Sequence, residues 1–222
     1  NANQSVGGGG IANRDGGTMT IVASSISGND GGGGSGGGLL NEASAMTIDN
    51  TTISGNRAGS GGGIQVLGNS VVMRFVTIVG NNAGSGGAIN NTRGEELVLS
   101  NTIVAGNSGG FGPVCGYVLS SAGHNLFDDL RDCTILGDTS GNIIDPDFSM
   151  ESLTVNAAST YTHQLEEDSR AVNAGSCIPE LVADQRGVER PQGEACDIGA
   201  VEYVEGEVEE IALPRANQDL FL

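Results

Sequence analysis

The chain has no lysine and no tryptophan, only five prolines and two histidines, and just five Phe and three Tyr among 222 residues. Without large side chains it cannot fill a thick globular core, but Ile, Leu, Val and Met can fill a narrow one. Two histidines and the lack of any Cys-x-x-Cys pair leave no ordinary zinc site. No stretch approaches the ~20 apolar residues of a membrane-spanning helix. Basic charge is scarce: nine Arg face 27 acids, a net of −18. Nucleic acid is therefore excluded as a partner, because its phosphates need a basic surface.

The acid is unevenly spread. Residues 1–110 hold six acids and four Arg, whereas residues 111–222 hold twenty-one acids and five Arg, a net of −16. That asymmetry separates two regions. It reads as a solvated acidic surface, and it also permits divalent cations. All four cysteines, Cys115, Cys133, Cys177 and Cys196, lie in the acidic half. They allow three pairings; the two local ones are favoured, each closing a loop of about 20 residues worth roughly 3 kcal/mol in the chain-entropy model. Disulfides imply an oxidising compartment outside the cytoplasm. The chain opens on Asn1 without Met or a signal peptide and reads as a processed or truncated product of export.

What is abundant is glycine, at 38 residues, and it is periodic without the every-third spacing of collagen. Ile26-Ser27-Gly28-Asn29 returns as Ile53-Ser54-Gly55-Asn56, Ile78-Val79-Gly80-Asn81 and Val104-Ala105-Gly106-Asn107, with Asn-to-Asn spacings of 27, 25 and 26. Each unit also carries a glycine cluster before an apolar residue: Gly10-Ile11, Gly38-Leu39, Gly63-Ile64 and Ala88-Ile89. Between these points Met46 and Ile48 alternate with Thr47 and Asp49, as do Met19/Ile21, Val71/Met73 and Leu97/Leu99 with their neighbours. Alternation is strand chemistry, and a period near 25 residues with three short strands predicts a right-handed parallel β-helix of about four coils. Residues 1–112 form the coils, 113–203 a disulfide-stapled, β-rich acidic cap that continues the β-helix and closes one end, and 204–222 an acidic tail with a terminal apolar strand. Asn29, Asn56, Asn81 and Asn107 are expected to stack as a structural ladder, closing turns that need left-handed geometry.

These repeats resemble polymorphic-outer-membrane-protein-like right-handed β-helices. Asp184-Gln185-Arg186-Gly187-Val188-Glu189-Arg190-Pro191, with Cys196-Asp197-Ile198-Gly199-Ala200 and Glu202-Tyr203, resembles the end of the choice-of-anchor Q domain. Gly123-His124-Asn125-Leu126, Asp145-Pro146, Thr162-His163 and Ala171-Val172-Asn173-Ala174-Gly175 fit the same pattern over roughly residues 7–203. Glu189 departs from it, standing where Pro is common, and Leu213-Pro214-Arg215-Ala216-Asn217 lacks the Thr-Gly of a sorting signal. The resemblance implies an exported, surface-associated β-helix without a defined activity.

Read from the residues, Asp184, Arg186, Arg190, Asp197 and Glu202 form an ion-pair set that closes the end of the rod. His124 and His163 are expected to be packed, hydrogen-bonded structural residues, with general acid or base work as the alternative. For chemistry, the candidates are Asp49 with Arg57 and Arg74 in neighbouring coils, a possible contact for a sugar acid on a polysaccharide lyase, glycosidase or glycan-binding module. Asp128, Asp129 and Asp132, followed by Asp138, Asp145 and Asp147, are a possible calcium set; no cofactor is otherwise required. The tail residues Ile211, Leu213, Leu220, Phe221 and Leu222 could supply a strand to a neighbouring molecule. The composite expectation is a non-enzymatic extracellular or cell-surface structural or adhesive protein that associates with itself or with surface proteins and glycans, with carbohydrate chemistry as the alternative.

Overall fold

The computed structural model describes residues 7–92, 96–156 and 158–206, and over these it is an all-β parallel solenoid of about five turns. The first coil holds β1 (Ile11–Asn13), β2 (Thr18–Val22) and β3 (Ser25–Ser27). The second holds β4 (Leu39–Asn41), β5 (Ala45–Ser54) and β6 (Arg57–Ser60). The third holds β7 (Ile64–Val66), β8 (Val71–Val79) and β9 (Asn82–Ser85). The fourth holds β10 (Ile89–Asn91), β11 (Leu97–Ser100), β12 (Ile103–Ala105) and β13 (Ser108–Phe111). The fifth holds β14 (Cys115–Ala122) and β15 (Leu126–Phe127), and a partial rung follows as β16 (Cys133–Asp138) and β17 (Ile143–Ile144).

Three parallel faces result. The first stacks β1, β4, β7, β10 and β14; the second β2, β5, β8, β11, β14 and β16; the third β3, β5, β8, β12, β15 and β17. The segments after the Gly-Asn step form a separate sheet of β6, β9 and β13. Register follows the sequence repeat: Met19 pairs Met46, then Val71 and Leu97. Ile26, Ile53, Ile78, Val104, Phe127 and Ile144 form one continuous inward row. These rows fill a slim aliphatic core in which Met46, Ile48, Ile53, Val71, Met73 and Leu97 are buried. Burying each such side chain contributes about 1.5–3 kcal/mol.

The fifth coil lies in the region expected to continue the β-helix beyond residue 112. Its strands end in Phe127-Asp128-Asp129 rather than a Gly-Asn phrase, so the repeat that marks the other coils is absent from it. The left-handed residue of each Gly-Asn step is also the glycine, with φ of 66°, 65°, 68° and 62° at Gly28, Gly55, Gly80 and Gly106. The asparagines are instead freed to point inward.

A second set of left-handed corners falls between the second and third faces, at Ala23, Asn50, Phe75, Asn101 and His124, with φ of 45°, 45°, 53°, 49° and 54°. In β5 and β8 this residue bends a single strand across two faces. Asn tolerates the conformation, whereas Phe at positive φ is uncommon. The reversal turns these five side chains out of the rod.

Residues 145–206 meet that corner. They are mostly irregular, with one short antiparallel hairpin of β18 (Thr154–Val155) and β19 (Tyr161–Thr162). Rather than closing an end, this segment runs as a strap along the side of the third face. Leu165, Ala171, Ile198 and Val201 pack on Ile103, Ala105 and Leu126 in a second apolar cluster. The expected cap is thus two things: residues 113–144 extend the solenoid, and the rest is a lateral strap.

Candidate functional site

The asparagine ladder is present and internally saturated. The side-chain amide of Asn29 donates to Asn56 Oδ1 at 2.9 Å, Asn56 to Asn81 at 2.9 Å and Asn81 to Asn107 at 3.0 Å. Each acceptor oxygen also takes the backbone N–H of the residue below, at 2.9–3.0 Å. The second amide protons of Asn56, Asn81 and Asn107 go to the carbonyls of Ile26, Ile53 and Ile78. Buried donors and acceptors cost about 1–3 kcal/mol if left unmade, so this closure holds the turns together.

Both disulfides form in the local pairing, Cys115–Cys133 and Cys177–Cys196. The first joins the fifth coil to the partial rung. The second lies within the strap, so the strap is held to the coils without a covalent bond of its own.

The expected ion-pair set converges as proposed, but on the side of the rod. Arg186 forks onto Asp184 through Nε at 3.0 Å and a terminal nitrogen at 2.8 Å. Asp184 also accepts the backbone N–H of Arg186, Val188 and Glu202. Arg190 pairs with Glu202 and donates to the carbonyl of Gly199 at 2.9 Å. Glu202 further accepts the N–H of Asp197 at 2.9 Å and of Gln192 at 3.0 Å. Asp197 takes the N–H of Asn173 at 2.6 Å and of Tyr203. Three carboxylates and two guanidiniums are buried together. Desolvation pushes Asp197 up to about 6, against the pull of those two backbone donors, with Glu202 pushing the same way. Burial lowers Arg190, opposed by Glu202, Asp184 and Asp197.

This knot is pinned to the left-handed corner. The Arg190 guanidinium lies 4.1 Å from the centre of the Phe75 ring, a cation–π contact. Asn50 donates to the carbonyl of Ala183 at 2.9 Å. Asn101 exchanges two hydrogen bonds with Ser176, at 3.0 and 2.7 Å. A ring nitrogen of His124 meets the carbonyl of Ala174 at 2.8 Å. Below the corner, Thr52 donates to Gln185 at 2.7 Å, and Thr77 accepts the N–H of Ala200 at 2.9 Å. Thr52 and Thr77 are therefore covered by the strap, at 0 % and 1 % exposure.

His163 bridges strap and coil. Its Nδ1 lies 2.8 Å from the carbonyl of Glu151 and its Nε2 2.8 Å from Ser54 Oγ. The carbonyl can only accept, so Nδ1 carries the proton and Nε2 accepts from Ser54. Burial lowers the His163 pKa, which favours this neutral form. The pair has the spacing of an activated serine, but both side chains are buried in the seam.

The carbohydrate candidates are only partly united. Arg74 clamps Asp49 with bonds of 2.7 and 2.6 Å, and Asp49 is 4 % exposed. Arg57 begins β6, in the separate three-stranded sheet, and its backbone forms a parallel β-bridge with that of Asp30. It does not join them, because the Gly-Asn turn carries the chain onto another face. The possible calcium set does not gather: no group of three or more His, Cys, Asp or Glu suited to a metal ion occurs among the described residues. Asp128 instead accepts the N–H of Gly106 at 2.6 Å, and Asp129 pairs with Arg131 at 2.6 Å. The apolar tail residues Ile211, Leu213, Leu220, Phe221 and Leu222 lie outside the described residues.

Two depressions of about 240 and 370 Å³ flank Tyr203. The smaller is lined by Glu151, Glu166 and Glu167 over a Leu165 floor. No helix among the described residues is long and apolar enough to cross a membrane. The fold and its seams define a disulfide-bonded parallel β-solenoid with a lateral strap. No family model, curated protein or solved structure matches the chain.

Proposed function

We propose that this chain is an exported, non-enzymatic structural or adhesive module of the cell surface, working as a rigid rod in contact with other copies or with surface proteins and glycans. One observation carries the reading. The oxygens of the buried carboxylates Asp184, Asp197 and Glu202 are occupied by Arg forks and main-chain amides, which suits fastening better than proton transfer. The disulfides fit an oxidising environment. The resemblance of the repeats and of the Asp184–Tyr203 segment to exported surface β-helices points the same way.

The carbohydrate-active alternative loses support because Arg74 is closed onto Asp49 and Arg57 sits on another sheet. The test is incubation of the whole chain with neutral and uronate-containing polysaccharides, following both binding and chain cleavage. Retention on a cell surface or glycan without cleavage is expected. Catalytic cleavage that is lost in Asp49→Asn or Arg74→Gln would overturn the proposal.

A further inference from the structure

We propose that Phe111 and Tyr117 form a binding site for one ring of a neutral sugar. The inference rests on the adhesive reading above and gives it a place and a ligand class.

The first observation is a ring turned out of its row. Asn13, Asn41, Val66, Asn91 and Tyr117 hold one register position in successive coils. The first four are at most 5 % exposed, whereas Tyr117 is 49 % exposed. Its φ of 86° reverses the backbone and carries the side chain outward. A non-glycine residue held at positive φ costs stability, and such residues cluster at functional sites. The ring meets that of Phe111, 38 % exposed, at 5.3 Å between centres and 55° between planes. The two rings form an open, tilted pair on the outside of the rod.

The second observation is a buried acceptor without a donor. Leu40, Gln65, Asn90 and Gly116 form one row, and Ser60, Ser85 and Phe111 form another beside it. Ser60 donates to Gln65 Oε1 at 2.6 Å. The same five-residue step joins Ser85 to Asn90, whose side chain is one methylene shorter. Asn90 is 1 % exposed, and its Oδ1 has no hydrogen-bond partner. One coil further the step joins Phe111 to Gly116, and neither brings a polar side chain. A Cβ on Gly116 would stand 2.8 Å from Asn90 Oδ1 and 3.2 Å from Ser85 Oγ. The unmatched oxygen therefore faces Gly116, at the foot of the aromatic pair, and calls for a donor from outside the chain.

Charge and footprint select the ligand. Residues 82–92 and 108–118 carry no charge, in a chain of net −18. An ionic ligand finds no counter-charge on these segments. Glycines at 109, 110, 112 and 116 flank the rings, so there are few side chains to build the roughly 1,200 Å² of a stable protein interface. A sugar needs only the two rings. Its C–H bonds lie against the negative face of an aromatic ring, and one hydroxyl donates to Asn90 Oδ1. That oxygen is covered, so the Phe111 side chain shifts as the hydroxyl enters.

The test is titration of the full chain with neutral glucose and N-acetylglucosamine oligomers up to about 10 mM, beside an oligogalacturonate and a proline-rich peptide. Neutral oligomers are expected to bind, and Phe111→Ser and Tyr117→Gly each to weaken binding about ten-fold or more. Both variants suit the backbone: serine stands at this position in the coils below, and glycine accepts a φ of 86°. Should either fail to fold by circular dichroism, saturation transfer in the native chain replaces it. Transfer from aromatic protons to the sugar C–H groups is then expected, and its absence overturns the proposal. No binding of a neutral oligomer, or binding unchanged in both variants, also overturns it. So does tighter binding of the oligogalacturonate or the peptide at these rings. Failure here leaves the non-catalytic reading standing, since polysaccharide turnover decides that separately.

Discussion

Arg190→Met is the sharpest perturbation of the strap. Methionine keeps much of the aliphatic stem against Phe75 but removes the charge. In the native cluster two guanidiniums face three carboxylates, at Asp184, Asp197 and Glu202. After the change one guanidinium remains, that of Arg186, which donates to the main-chain carbonyl of Glu202 and forks onto Asp184. Glu202 then keeps the N–H groups of Asp197 and Gln192 but loses the cation of Arg190. Stranding a buried charge in this way costs about 3–5 kcal/mol, a large share of the 5–15 kcal/mol typical of a whole domain. Because the disulfide Cys177–Cys196 lies within the strap, no disulfide restrains its release from the coils. Urea unfolding followed by circular dichroism should show an early transition for the strap and a later one for the solenoid. Adding Glu202→Gln removes the stranded charge and should restore at least about 1–2 kcal/mol. A loss below about 1 kcal/mol for Arg190→Met would refute the reasoning, because the cluster would then be hydrated rather than buried.

Three further outcomes are expected. In the asparagine ladder, Asn56→Ala strands the N–H of Asn29 together with its side-chain amide and two other partners, and should cost ~3 kcal/mol or more in urea unfolding, whereas a loss below about 1 kcal/mol would contradict it. Asp197 is raised to about 6 when folded, against about 3.9 unfolded, so its contribution favours folding fully below about pH 4 and is lost as pH rises through 6. Strap stability should therefore gain up to about 2–3 kcal/mol between pH 7 and 4 from this group. His163, lowered by burial, acts oppositely, contributing above its unfolded pKa and losing that as pH falls, so the Asp197 slope is read in a His163→Gln background and should vanish in His163→Gln/Asp197→Asn. Finally, mild reductant should open Cys177–Cys196 before Cys115–Cys133, because Cys177 is exposed and Cys115 is buried; mass spectrometry after thiol alkylation reads the order.

The solenoid was legible in the sequence because its determinants repeat. Gly28-Asn29 and its successors place one positive φ and one buried amide per coil, and Met46-Thr47-Ile48 alternates as a half-buried strand must. The strap was legible as chemistry but not as placement. The charges of Asp184, Arg186, Arg190, Asp197 and Glu202 suggested mutual pairing, yet their docking line does not repeat in residue type. Ala23, Asn50, Phe75, Asn101 and His124 share a corner and a backbone conformation while sharing no side-chain chemistry. One signal was available: alternation from Val71 and Met73 would carry Phe75 and Thr77 inward, yet the inward row resumes at Ile78, so one residue of β8 must turn out between them. Ser54 and Thr52 gave no hint of burial, since a hydroxyl on a strand face reads the same under solvent as under a strap. Arg57 was misplaced because a Gly-Asn turn moves the chain to a new sheet, which spacing along the sequence does not reveal.

Amide hydrogen exchange on the native chain tests the central claim most directly, because strap amides donate straight into the coils, three of them beside the left-handed corner. These are Gly199 to the Asn101 carbonyl at 2.9 Å, Ala200 to Thr77 Oγ1 at 2.9 Å and Ser176 to Asn101 Oδ1 at 2.7 Å. Slow exchange at Gly199 and Ala200, comparable to that of amides within β5 and β8, is the expected result. Exchange of those two amides at the rate of an open chain, with β5 and β8 still protected, would contradict a strap fastened along the rod.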